Sequence, residues 1–245
     1  MTRRAPGFSL IEMAFVLIIV TLLLGGLLVP FATQVEQKRI AETNKAMEEI
    51  REALIGYALA NANPGAPNLP CPDTDNNGTE NVTDKGACTN AEGNLPWVTL
   101  GVGAQDAWGN RFYYRVTDSF ADRNLPTVTL LNPGFALTSD GDINVCSTSA
   151  CATTIASSVP VVVVSYGKNG YGALSSNSAG ARNIAPVAAN LDERANQPVA
   201  GPQPHTFVSR VLTLPGAGST EFDDQVMWLS SNVLFNRMVA AGRLP

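Results

Sequence analysis

The chain has 245 residues, enough for one full core, but only 15% of them are charged, and it carries 21 glycines and 16 prolines. That balance speaks for a loop-rich, strand-containing domain of an extracytoplasmic kind over a long-helix bundle. A formal net charge of −5 with no basic face argues against nucleic acid as a partner. The one histidine is His205, and Cys71, Cys88, Cys146 and Cys151 form no C-x-x-C pair. Zinc ligation therefore has no spacing to rest on.

Residues 8–31 read FSLIEMAFVLIIVTLLLGGLLVPF, with Glu12 their one charge. A bilayer-spanning helix needs about 20 apolar residues, which this run supplies. Arg3 and Arg4 precede it, so the positive-inside rule places the N-terminus in the cytoplasm and the remainder outside. No small-residue cleavage site closes the run, and it is too long for an ordinary secretory signal. A carboxylate inside such a helix is costly and calls for a partner.

Gly7-Phe8-Ser9-Leu10-Ile11-Glu12-Met13, following Arg3 and Arg4, resembles the prepilin leader junction. The resemblance implies that residues 1–7 are a leader, that a membrane prepilin peptidase cuts after Gly7, and that the new amine on Phe8 is methylated. It also implies that Glu12 meets the amine of a neighbouring subunit. Two opposite charges in a low-dielectric core are tolerable together and expensive apart, so the pair would set register in assembly.

Residues 32–63 continue as an amphipathic helix. Met47, Ile50, Leu54, Tyr57 and Ala58 recur at steps of three and four, which marks one buried stripe. Asn63-Pro64-Gly65 is the expected stop. Residues 8–62 would form one helix of about 80 Å, with weak points at Gly25-Gly26 and Pro30.

Residues 64–245 form the expected globular domain. Strands are expected over 111–117, 127–131, 135–138 and 159–166. The unbroken valines of the last of these suggest burial on both faces. Residues 205–214 alternate, with Phe207, Val211 and Leu214 expected inward. A helix is expected over 221–241, with Val226, Leu229, Val233, Leu234 and Met238 on its stripe and Gly242 as its stop. The expected class is α+β: a long N-terminal helix, half transmembrane and half amphipathic, packed on a mainly antiparallel sheet with elaborated loops and a C-terminal helix. An even cysteine count behind an export segment favours disulfides. Cys71–Cys88 with Cys146–Cys151 is the simplest pairing, and two other connectivities stay open.

Asp106-Ala107-Trp108-Gly109-Asn110-Arg111-Phe112-Tyr113-Tyr114 resembles the D-x-W-G-N-x-x-x-Y element of type II secretion pseudopilins. Ser165-Tyr166-Gly167-Lys168-Asn169-Gly170 is similar to the S-x-G-x-D-G loop of the major pseudopilin. The resemblance implies a pilin fold and a structural subunit of a periplasmic pseudopilus or related filament; the chain's size and extra loops suggest a minor one. Its partners would be other pilin or pseudopilin subunits, prepilin peptidase and an inner-membrane assembly platform. It would sit first in the inner membrane, with the C-terminal domain periplasmic, and later in a filament. The alternative is a surface minor pilin acting in adhesion, motility or DNA uptake. No titratable constellation for catalysis stands out, so an enzyme is not expected.

Calcium is the one cofactor the sequence suggests. Asp73, Asp75, Asn77 and Asp84, with Gly78 at the sixth position, fit the spacing of a calcium loop. The flanking Pro70 and Pro72 deny it an entering helix. The pseudopilin resemblance implies a second site near Ser165–Gly170. There Asn169 replaces an acid and Lys168 adjoins it. Asp223 and Asp224, or Asp140 and Asp142, could supply charge, but nothing in the sequence brings them together.

Overall fold

The computed structural model describes residues 7, 9–61, 67–123, 134–175, 180–198, 206–213 and 220–245, with backbone but no side chains for 23–30. In chain order the elements are α1 Leu10–Ala60, β1 Glu92–Asn94, α2 Trp97–Leu100, β2 Tyr113–Val116, α3 Asp118–Ala121 and β3 Ile143–Cys146. They continue with β4 Thr154–Val159, β5 Val161–Ser165, α4 Leu191–Ala195, β6 Thr206–Val208, β7 Gln225–Leu229 and α5 Ser231–Ala240. Two compact units result, Met1–Ala41 and Glu42–Pro245.

In the first unit α1 starts with a capping box. The Ser9 amide donates to the Glu12 carboxylate at 2.8 Å, and the Glu12 amide donates to the Ser9 hydroxyl at 3.3 Å. Two otherwise orphaned helix donors are satisfied reciprocally. Leu10, Ile11, Phe15, Leu17 and Ile19 are exposed. Among the described residues no helix is long and apolar enough to cross a membrane. The side chains of 23–30, which complete the expected span, lie outside the described set. The helical backbone continues through Gly25, Gly26 and Pro30.

In the second unit the remaining turns of α1 bury Met47, Ile50, Leu54, Ile55 and Ala58, as the three- and four-residue spacing requires. Tyr57 is half-buried. The stripe meets a four-stranded antiparallel sheet in the order β1-β2-β5-β7. Side chains alternate across a strand, so Tyr114, Val116, Val161, Val163, Met227 and Leu229 share the core with α1. Tyr113, Val162 and Val164 face the opposite way, into a second core with Ile143, Val145, Val159 and Phe207. The second core belongs to a three-stranded sheet, β4-β3-β6, whose β3 and β6 run parallel. Val161, Val162, Val163 and Val164 are thus all fully buried, because β5 lies between β2 and β7 with a core on each face.

The α+β class and the helix-on-antiparallel-sheet packing stand. Both disulfides form as the local pairing expects, Cys71–Cys88 and Cys146–Cys151, with Cα atoms 5.2 and 5.1 Å apart.

Several elements differ from expectation. The run over 159–166 is two strands, because Pro160 has no amide to give a ladder; Val159 ends β4 and Val161 begins β5. Residues 135–138 are not a strand, although Phe135 is buried against Phe120 and Phe235. Among the described residues of 205–214 only Thr206–Val208 is a strand; Phe207 is buried, but Val211 is 83% exposed. The C-terminal helix is shorter than expected. Val226 and Leu229 belong to β7, and only Leu234 and Met238 are buried on α5. The sequence Val-Met-Trp-Leu satisfies a two-residue alternation as well as a helical stripe, and pairing with β5 decides between them. The expected helix stop at 63–65, the strand over 127–131, Leu214 and His205 lie outside the described residues.

Candidate functional site

The two internal motifs are joined physically. Asp106 opens a tight turn in which its Oδ1 accepts the Trp108 and Asn110 amides at 3.0 and 2.9 Å. Gly109 sits at φ 88° in that turn, a conformation that favours glycine. The other carboxylate oxygen accepts the Ser165 hydroxyl at 2.7 Å. Ser165 Oγ in turn accepts the Gly167 amide, and Asn110 Nδ2 donates to the Gly167 carbonyl at 3.1 Å. The Ala107 amide donates to Thr43 Oγ1 at 3.2 Å, which ties the turn to α1. Burial pushes the Asp106 carboxyl up from its ordinary value, while its hydrogen-bond donors oppose the shift.

The glycine loop leads directly to a cluster of acids. Gly167, at φ 55°, lies against the Asp223 backbone so closely that a Cβ would overlap it. The Asn169 amide donates to Asp223 Oδ2 at 2.7 Å, and Asn169 Nδ2 donates to Glu193 Oε1 at 2.8 Å. Asn190 Nδ2 donates to Glu193 Oε2 at 2.8 Å, and Asn196 Nδ2 donates to the buried Asp224 at 2.9 Å. Carboxylate oxygens of Glu193, Asp223 and Asp224 lie within 4.8 Å of one another. Asp223 Oδ1 is buried without a hydrogen-bond partner. Burial first, and the neighbouring Glu193 and Glu221 charges after it, push the Asp223 carboxyl up to about 7. Burial raises Asp224 and Glu193 as well.

Hard oxygen donors at this density fit a cation such as calcium. Asn169 changes the set: where the resemblance expects an acid, its amide gives a hydrogen bond to Glu193. Of the acids considered from sequence, Asp223 and Asp224 are brought together here. Asp142 instead pairs with Arg115 at 2.6 Å and accepts the Thr117 hydroxyl. Glu193, Asn190 and Asn196 were not foreseen. The one local signal was Asn190-Leu191-Asp192-Glu193, a capping pattern that marks a helix start and says nothing of a cluster.

The first calcium loop is built differently from its spacing. Asp73 Oδ1 accepts the Asp75 and Asn76 amides at 3.1 and 2.8 Å, and its Oδ2 accepts the Gly78 amide at 2.8 Å. Asp75 accepts from the Asn77 amide and side chain, and Asn77 Oδ1 accepts the Thr79 amide. Oxygens of Asp73, Asp75 and Asn77 thus accept from the loop's own donors. Asp73, Asp75 and Asp84 do not converge into a metal-binding group; among the described residues only Glu193, Asp223 and Asp224 do. The segment is an Asx-rich turn closed by the Cys71–Cys88 disulfide.

Gly7 is exposed, and an added Cβ would meet nothing within 4 Å among the described residues. Phe8 lies outside the described residues. The chain matches no family model, no curated protein and no solved structure.

Proposed function

We propose that this chain is a structural subunit, of the minor kind, of a periplasmic type II secretion pseudopilus or a related type IV pilus-like filament. In this proposal it has a pilin fold and is cut after Gly7 by prepilin peptidase. Residues 8–31 hold it in the inner membrane until it joins other subunits at an assembly platform. One observation carries the proposal. The Gly7–Met13 junction runs straight into a single helix, Leu10–Ala60, which presents exposed apolar side chains early and a core-forming stripe late. Exposed side chains of this size need lipid or neighbouring subunits to cover them.

Further support comes from the way Asp106 and Asn110 hold Ser165 and Gly167, so that the two motifs act as one junction. Calcium belongs to the same proposal. Glu193, Asp223 and Asp224 would hold it, and its charge would offset theirs where the loops around 167, 193 and 223 meet.

The test is co-expression with a prepilin peptidase and mass spectrometry of the N-terminus. The expected product begins at Phe8 and carries a methylated amine, and Gly7→Ala abolishes it. An intact N-terminus in the parent chain, or normal cleavage of Gly7→Ala, would refute the proposal.

A further inference from the structure

A cavity of about 340 Å³ lies between the glycine loop and α4, lined by Gly172, Arg182, Asn183, Arg194, Gln197 and Pro198. Its volume falls in the range that small ligands occupy, from about 300 Å³ upward. Both arginines are exposed, and the carboxylates near them are held by other partners. Asp192 is taken by Arg210 at 3.0 Å and by the Ser149 amide at 2.9 Å. Glu193 is taken by Asn169 and Asn190. Arg182 also borders an adjoining cavity that carries Asp73 and Glu92. Those acids are engaged as well, Asp73 by its own loop and Glu92 by the Tyr113 hydroxyl at 2.7 Å.

Among the described residues no carboxylate forms an ion pair with Arg182 or Arg194. Each arginine is instead anchored through a backbone carbonyl. Arg182 Nη1 donates to the Gly172 carbonyl at 3.1 Å and Arg194 Nη1 donates to the Pro186 carbonyl at 3.4 Å. A guanidinium has several further donors in a fixed plane, and that fork matches a carboxylate or phosphate.

The two amides supply the opposite chemistry. Asn183 Nδ2 donates to the Gly170 carbonyl and Gln197 Nε2 to the Tyr171 carbonyl, each at 2.9 Å. With the nitrogens committed, the amide oxygens are left as acceptors for hydroxyl groups. Gly172 closes the floor. It stands at φ 72°, a conformation that favours glycine, and a Cβ there would displace the Gln197 amide.

We propose that this cavity binds a small hydroxylated anion of the sugar-acid class, with its carboxylate on Arg182 and Arg194 and its hydroxyls on Asn183 and Gln197. The site is separate from the filament chemistry and stands without it.

The experiment is isothermal titration of the full chain in detergent with galacturonate, galactose and inorganic phosphate. Galacturonate is expected to bind, galactose at least tenfold more weakly, and phosphate between them. Arg194→Gln should weaken galacturonate binding about 10- to 100-fold, the range for a hydrogen bond to a charged group. Arg194→Lys, which keeps the charge and loses the fork, should fall between the two. Ligand-free melting of each variant reports its folding, and Arg182→Gln repeats the test if Arg194→Gln melts early. Binding of galactose equal to galacturonate, phosphate binding as tightly as galacturonate, unchanged affinity in a folded arginine variant, or no heat with any probe at 10 mM would each overturn the proposal.

Discussion

Replacing Asp106 with alanine should cost about 3 kcal/mol of stability. The carboxylate serves the Trp108 amide, the Asn110 amide and the Ser165 hydroxyl, and Ser165 is fully buried. Each buried donor left without an acceptor costs about 1–3 kcal/mol. Three of them sum to about 3–9 kcal/mol; the Trp108 bond is only part-buried, which favours the low end, and relief of a desolvated carboxylate returns about 1–2 kcal/mol. For a domain of this size that loss lowers Tm by about 6–12 °C. Asp106→Asn keeps an oxygen for the two amides, and the Ser165 hydroxyl can turn to accept, so its cost should be about 1 kcal/mol. The assay is urea and thermal unfolding of the full chain in detergent, followed by fluorescence of the three tryptophans. Asp140→Ala, in an exposed turn, is the control and should change nothing measurable. An alanine variant no worse than the asparagine variant would refute the hub role given to this side chain.

Glu12 offers two roles that substitutions can separate. Glu12→Gln keeps the capping box with Ser9 and loses the charge, whereas Glu12→Ala loses both; if charge pairing sets register, both should fail to enter filaments. Normal incorporation of the glutamine variant, read by cross-linking, would leave only the cap. For Asp223 the folded pKa of about 7 stands above the ordinary 3.8, so the folded state binds the extra proton between those values. The stability this contributes is full below about 4 and lost as pH rises through about 7. Asp223→Asn should therefore match the parent near pH 4 and exceed it at pH 8, by about 2 kcal/mol once the partial exposure of the group is discounted; equal stability at pH 8 counts against it. At pH 8 a hundredfold excess of calcium over its Kd should stabilise the parent by about 2.7 kcal/mol and the variant far less, and identical melting shifts would remove calcium from Glu193 and Asp224. Leu54→Ala, at a fully buried position, should cost about 3 kcal/mol, and a loss under about 1 kcal/mol would mean that the stripe does not pack as described.

The parts legible in the sequence are those encoded by short-range repetition. A spacing of three and four residues sets the stripe from Met47 to Ala58, because helical geometry returns those side chains to one face. The valines at 161–164 announce a strand with a core on each side, since a run lacking polar alternation has no face to give to water. Two cysteine pairs at short separation close locally, because little loop entropy opposes them.

Other features depended on residues far apart in the chain. Val226 to Leu229 fits helix and strand alike, and only the free edge of β5 makes it β7. Asp73, Asp75 and Asp84 have the spacing of a cation loop, yet the loop's own amides donate to Asp73 and Asp75, and the three acids do not converge. Glu193, Asp223 and Asp224 share no pattern at all, because Glu193 lies about thirty residues from the other two, and loop packing alone brings their carboxylates within 4.8 Å. Local periodicity thus determined which segments fold and which faces they bury. The tertiary structure decided which polar groups meet, because hydrogen-bond partners across loops leave no trace in spacing.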